Sequence, residues 1–222
     1  MALLGYPRKP YQGMLMIQPK YNQNDWKVET KKTLIQEFLC LFEYTLKIKL
    51  FSGQWSQPLR RIMAQSPEAV VVIPFDPIKQ EIVMIEQFRI GATRFDDQSP
   101  WLLEFVAGMV DDHEDVEQAA KRELKEETGL ECQSLIPIYR YFSSPGLHNE
   151  WIHLYCAIVD SGKKKPLCGV SDEGEDIQTH RLSIHDAVSM CEQGKFNNGA
   201  AIIGVQWIQL HQAHISSIAH KK

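Results

Sequence analysis

In FEYTLKIKL, residues 42–50, Phe42, Tyr44, Leu46, Ile48 and Leu50 alternate with Glu43, Thr45, Lys47 and Lys49. Strand side chains point alternately to opposite faces, so this period of two predicts a strand with one face to bury. The pattern ends at Ser52-Gly53, and a shorter strand is expected over residues 26–33. Residues 1–58 therefore read as a small β subdomain, and residues 59–222 as the larger domain. There, EAVVVIPFDPIKQEIVMIEQFRI reads as two strands joined by a turn at Asp76-Pro77, and WLLEFVAG as one more strand. Further strands are expected over residues 134–142 and 150–159, followed by a polar loop through DEGED and helices over 184–193 and 199–216. The class is α/β.

The segment GMVDDHEDVEQAAKRELKEETGL, residues 108–130, has a helical period with a fault in it. At about 100° per residue, Val116, Ala119, Ala120 and Leu124 lie within about 80° of one direction, which marks the buried face. Glu123 and Glu127 fall near about −20° and +20° on the same scale, in the middle of that stripe, with Glu126 on its flank. Lys121, Arg122 and Lys125 point away. Burying unpaired carboxylates is costly, and two of them one turn apart also repel. A cation opposite them resolves the fault, and oxygen donors in this arrangement suit a hard divalent ion better than zinc. A salt-bridged helix with a skewed face is the alternative. Asp111 and Asp112 are the expected N-terminal caps, and Gly129 the C-terminal stop.

A chain of 222 residues can bury a sizeable core, and a net charge of −4 without a basic run argues against a nucleic-acid partner. The five cysteines, Cys40, Cys132, Cys156, Cys168 and Cys191, are odd in number and show no CxxC pair, so reduced thiols are expected. The apolar run in MALLGYPRKP is short for a signal peptide and no later segment is long enough to span a membrane, so a cytoplasmic location is expected.

Gly108, Glu114 and the run Arg122, Glu123, Leu124, Glu126, Glu127, Gly129, Leu130 fill nine specified positions across 23 residues. This spacing resembles the Nudix box without a departure. The segments LRRIMAQ, PFDPIKQEIVMIEQFRIGA, PWLLEFVAGM, SDEGEDIQTHRLS and GVQWIQLHQ, together with Pro145 sixteen residues after Gly129, resemble the ADP-ribose pyrophosphatase subgroup of the Nudix hydrolases. The resemblance covers roughly residues 29–215. It implies a Nudix α/β/α sandwich with a small N-terminal β subdomain, and hydrolysis of ADP-ribose to AMP and ribose 5-phosphate. It also implies a need for Mg2+, with Mn2+ as a substitute.

Position by position, the resemblance implies that the Ala107 carbonyl, Glu123, Glu127 and Glu175 hold metal, and that Glu173 is the general base. It places Arg122 and Glu126 in the catalytic set. Arg61 and Arg89 would hold phosphate or ribose oxygens, since a guanidinium makes two directed bonds where a lysine offers a point charge. Phe38, with Leu39 beside it, corresponds to the aromatic that stacks on adenine; Met109 would pack beneath the substrate. Ser144, Pro145, Gly146 and Glu150 would line the terminal ribose. The subgroup also implies a homodimer with exchanged N-terminal strands. Three other readings stand beside this one: a pyrophosphatase for another nucleoside diphosphate sugar such as GDP-mannose, a dinucleotide hydrolase acting on NADH, and a non-catalytic ADP-ribose sensor. An NADH hydrolase commonly carries zinc-ribbon cysteines, which this sequence lacks, and a sensor commonly loses the paired glutamates, which it keeps.

Overall fold

The computed structural model describes residues 18–37, 39–94, 99–170 and 174–219, with the side chains of 217–219 left aside. The described residues fall into two compact units. One comprises those up to Ser66 together with Ser144–Asn149, and the other Pro67–Ser143 with those from Glu150 onward.

In the first unit, β1 (Trp26–Gln36), β2 (Cys40–Ile48) and β3 (Leu59–Gln65) form an antiparallel sheet in that order. The period-two pattern puts Phe42, Tyr44, Leu46 and Ile48 of β2 on one face. On that face Tyr44 is flanked in register by Lys31 on β1 and Arg61 on β3. The Lys31 ammonium lies 3.8 Å from the Phe42 ring centre and 5.6 Å from that of Tyr44. Every residue of β1 is exposed, including Trp26, Val28 and Ile35. The third strand was not expected from the sequence, because LRRIMAQ has no clean alternation.

The second unit is built around β4 (Ala69–Asp76), which is apolar on both faces because both are covered. Val71, Ile73 and Phe75 enter one core cluster, and Val70 and Val72 the other. β5 (Glu81–Phe88) turns back beside β4, but the two pair only next to their turn, at Phe75 with Ile82 and Asp76 with Glu81. Beyond that they diverge, and WLLEFVAG fills the gap as two strands where the sequence suggested one. β6 (Trp101–Glu104) pairs with β5, and β7 (Val106–Met109) with β4. The break falls at Phe105, a fully buried ring. A chain that leaves one partner strand for another cannot stay a single straight strand.

Helix α1 (Val116–Thr128) packs with the Val70/Val72 cluster. It is capped by Asp115, whose carboxylate accepts the Glu117 and Gln118 amides, in place of the expected Asp111 or Asp112. Gly129 ends it in the left-handed region, at φ 71°, as expected. β8 (Ser134–Phe142) and β9 (Trp151–Ile158) extend the sheet, with β9 parallel to β4. On the far side lie β10 (Leu167–Cys168) and β11 (Ile177–Ser183), neither of which the sequence pattern revealed. Helices α2 (Ile184–Glu192) and α3 (Gly199–Ala219) cover the face opposite α1. The unit is thus an α/β/α sandwich. Gly204 lets α3 lie close, since a Cβ there would fall 2.5 Å from the Phe105 ring.

Candidate active site

Helix α1 buries Ala119, Ala120 and Leu124 as its period demands, and buries Glu127 with them at 1 % exposure. An Ala107 amide on β7 donates to the Glu127 Oε2 at 2.9 Å. Burial is the largest influence on this carboxyl and drives its pKa well above the ordinary range, and the charges of Glu123 and Glu175 push the same way. Glu123, one turn earlier, is partly buried and also raised, again chiefly by burial, with Glu126 and Glu175 adding repulsion. The three glutamates Glu123, Glu127 and Glu175 therefore lie within electrostatic reach of one another in a poorly solvated place, where the protonated form is favoured unless positive charge arrives.

Part of that charge comes from Arg122. Its guanidinium bonds Glu114 twice, at 3.0 and 2.9 Å, and reaches Glu123 at 2.7 Å, Glu126 at 3.1 Å and the Met109 carbonyl at 3.2 Å. Glu114 is held below its usual pKa, mainly by this hydrogen bonding. The network explains the spacing of the box: Glu114 precedes the helix, Arg122 lies on it, and together they fix the loop through Met109. It also explains Gly108. A Cβ at that position would sit 2.0 Å from the Glu123 carboxyl carbon, so only glycine lets the carboxylate rest against the backbone.

The carboxylate oxygens, with the neighbouring Ala107 carbonyl as a hard donor, fit a divalent cation such as Mg2+ better than a soft metal. Among the described residues, no three acidic, histidine or cysteine side chains are already gathered closely enough to hold an ion. Glu175 sits where the loop returns to β11, its Oε2 accepting the Val170 amide at 3.3 Å.

Arg89 follows β5, and its Nε is held by Glu104 at 2.8 Å; it lies close enough to Glu127 to oppose that residue's raised pKa. Glu104, which Gln87 also contacts at 3.4 Å, was not singled out from sequence. The signal for it was an acid inside the apolar run WLLEFV. Met109 and Glu150 belong to the same unit as α1; Leu39, Arg61, Ser144, Pro145 and Gly146 belong to the other. There the Ser144 carbonyl accepts the Leu147 and His148 amides, closing a turn through Pro145 and Gly146. Phe38 and Glu173 lie outside the described residues. All five cysteines are free thiols, and no described helix is long and apolar enough to cross a membrane.

Residues 65–202 match the NUDIX domain. An ADP-ribose pyrophosphatase of Escherichia coli strain K12 is 39% identical over 192 residues, which is 86% of this chain and 91% of that protein. One from Haemophilus influenzae is 37% identical over 197 residues, 88% of this chain and 91% of that protein. Among solved structures, an ADP compounds hydrolase superposes with a TM-score of 0.61 at 20% identity, covering 83% of this chain and 95% of that one.

Proposed function

The chain belongs to the NUDIX domain family, and from that premise we propose that it hydrolyses the pyrophosphate bond of ADP-ribose, giving AMP and ribose 5-phosphate, with Mg2+ as cofactor and Mn2+ as a substitute. The observation that carries the reading is the carboxylate pair Glu123 and Glu127, one resting on Gly108 and the other bonded to Ala107, inside a buried helix face. The choice of ADP-ribose rests on the likeness to the two bacterial pyrophosphatases over most of both chains.

In this reading the Ala107 carbonyl, Glu123, Glu127 and Glu175 hold the cation. Once bound, it neutralises charge on the pyrophosphate and assists attack by water. Arg122 and Glu126 keep the helix carboxylates oriented. Glu173 removes the proton from the attacking water, a contribution of about 10²- to 10⁴-fold. Arg89 and Arg61 grip phosphate or ribose oxygens with paired N–H donors. Phe38 and Leu39 take the adenine, Met109 underlies the substrate, and Ser144, Pro145, Gly146 and Glu150 take the terminal ribose.

The active form is a cytoplasmic homodimer in which the N-terminal strands are exchanged. The exposed apolar residues of β1, an eleven-residue strand with no buried position, support a second copy as the cover for that sheet. The test of the reaction is a comparison of kcat/KM with Mg2+ on ADP-ribose, ADP-glucose, GDP-mannose, NADH and ATP. ADP-ribose is expected to be hydrolysed most efficiently; a marked preference for GDP-mannose would reject the adenine assignment.

A further inference from the structure

Four neighbouring strands of the sheet place Met109, Ala69, Ile152 and Tyr141 in one row, since Ala69 pairs with Met109 on β7 and with Ile152 on β9, and Ile152 pairs with Tyr141 on β8. Residues in register share a face, and this one is the face of Ala107, Val71 and Leu154. At strand spacing, Tyr141 stands three strands, roughly 14 Å, from Met109. The β8–β9 ladder continues past Phe142 and Trp151 to the Ser143 amide, which donates to the Glu150 carbonyl at 3.2 Å. Glu150 is therefore a diagonal neighbour of Tyr141 on the same face, a relation that long side chains bridge.

The Tyr141 hydroxyl is buried and has no hydrogen-bond partner among the described residues. A buried, unsatisfied hydroxyl is costly, and a phenylalanine would fill the same space without that cost. Burial, helped by the Glu150 charge, pushes this phenol up to about 12, so it keeps its proton and acts as a donor throughout the neutral range. Glu150 lies near enough for its charge to act on the phenol, but it accepts no hydrogen bond from it here. Its carboxylate is the group that the proposed reaction assigns to the terminal ribose.

We propose that Tyr141 is a positioning residue for the ribose end of the substrate: its hydroxyl, unpartnered in the free protein, donates to the Glu150 carboxylate when substrate binds and fixes it for the ribose hydroxyls. The pyrophosphate then lies at the Met109 end of the row and the terminal ribose at the Tyr141 end. This assignment rests on the proposed ADP-ribose reaction and adds a residue to it. A hydrogen bond to a charged acceptor that serves binding alone changes KM and leaves kcat largely intact.

The experiment compares wild type, Tyr141→Phe, Glu150→Ala and the double variant in KM, kcat and thermal melting. Tyr141→Phe is expected to raise KM for ADP-ribose about tenfold, to keep most of kcat, and to melt no lower than wild type. In the Glu150→Ala background the same substitution is expected to change KM by less than about twofold, the sign of full coupling. An unchanged KM for Tyr141→Phe in an active enzyme overturns this inference alone, as does an equal effect in both backgrounds. A wild type that leaves ADP-ribose intact overturns the proposed reaction, and this inference with it.

Discussion

Glu127 is almost fully enclosed, bonded to one backbone amide, and surrounded by the charges of Glu123 and Glu175 as well as by apolar residues. Its position makes sense only if something positive joins it. Replacing it with glutamine keeps the shape and removes the charge, so without metal Glu127→Gln is expected to melt at least about 2 °C above wild type, the shift that about 1 kcal/mol produces in a domain of this size. The same variant should lose the stabilisation that Mg2+ gives to wild type and at least about a hundredfold in activity, the scale of losing one electrostatic stabiliser. Melting curves with and without Mg2+, beside an activity assay, check this. Wild-type activity with a wild-type Mg2+ shift would remove Glu127 from the metal site. At this scale much could be read in advance, because a carboxylate in an apolar stripe is visible in the sequence. The role of Tyr141 was not, since an orphaned hydroxyl exists only once its surroundings are built.

The elements follow their hydrophobic period where one face is buried and part from it where partners change. The strand centred on FEYTLKIKL and the helix containing Ala119, Ala120 and Leu124 have regular periods and lie close to where those periods place them. WLLEFVAG is uniformly apolar, and nothing in it shows that β6 and β7 choose different partners at Phe105. β11 escapes because polar Thr179 takes one of its buried positions, with Lys164 donating to its carbonyl and hydroxyl oxygens. The helix start also depends on geometry: of the acidic residues before Val116, only Asp115 faces the first free amides.

The turn between β4 and β5 carries a pH-dependent prediction. Burial disfavours charge on Asp76, but amides of Lys79 and Ser161, with their side chains, outweigh it and hold its pKa below the ordinary value. A carboxyl depressed on folding contributes stability that is present above its unfolded pKa, about 3.9, and is lost as pH falls through the lower folded value. Asp76→Asn is therefore expected to cost about 1–3 kcal/mol at pH 7 and to flatten the wild-type loss of stability below about pH 4. Urea denaturation at pH 7, 5, 4 and 3 measures both effects. An equal difference between the two proteins at every pH would contradict the assignment.

For the molecule as a whole, the proposed exchange of N-terminal strands puts Phe38 of one chain with Glu127 of the other. Chains carrying Phe38→Ala mixed with chains carrying Glu127→Gln should then give heterodimers with one doubly defective site and one intact site. After subunit exchange, activity at low ADP-ribose is expected to exceed that of both parents. A monomeric mass in solution, or mixed activity no greater than the parents' average after proven exchange, would rule the shared site out. The sequence suggested this arrangement only through resemblance; the alternation of FEYTLKIKL shows that a face needs covering and is silent about which chain covers it.

The central claim is hydrolysis at the pyrophosphate bond, and product identity tests it most directly. Purified protein is incubated with ADP-ribose and Mg2+ in water enriched in oxygen-18, and the products are resolved by mass spectrometry. The expected result is equimolar AMP and ribose 5-phosphate, with one labelled oxygen on one of the two phosphates. Formation of ADP and free ribose, or recovery of intact ADP-ribose, would contradict it.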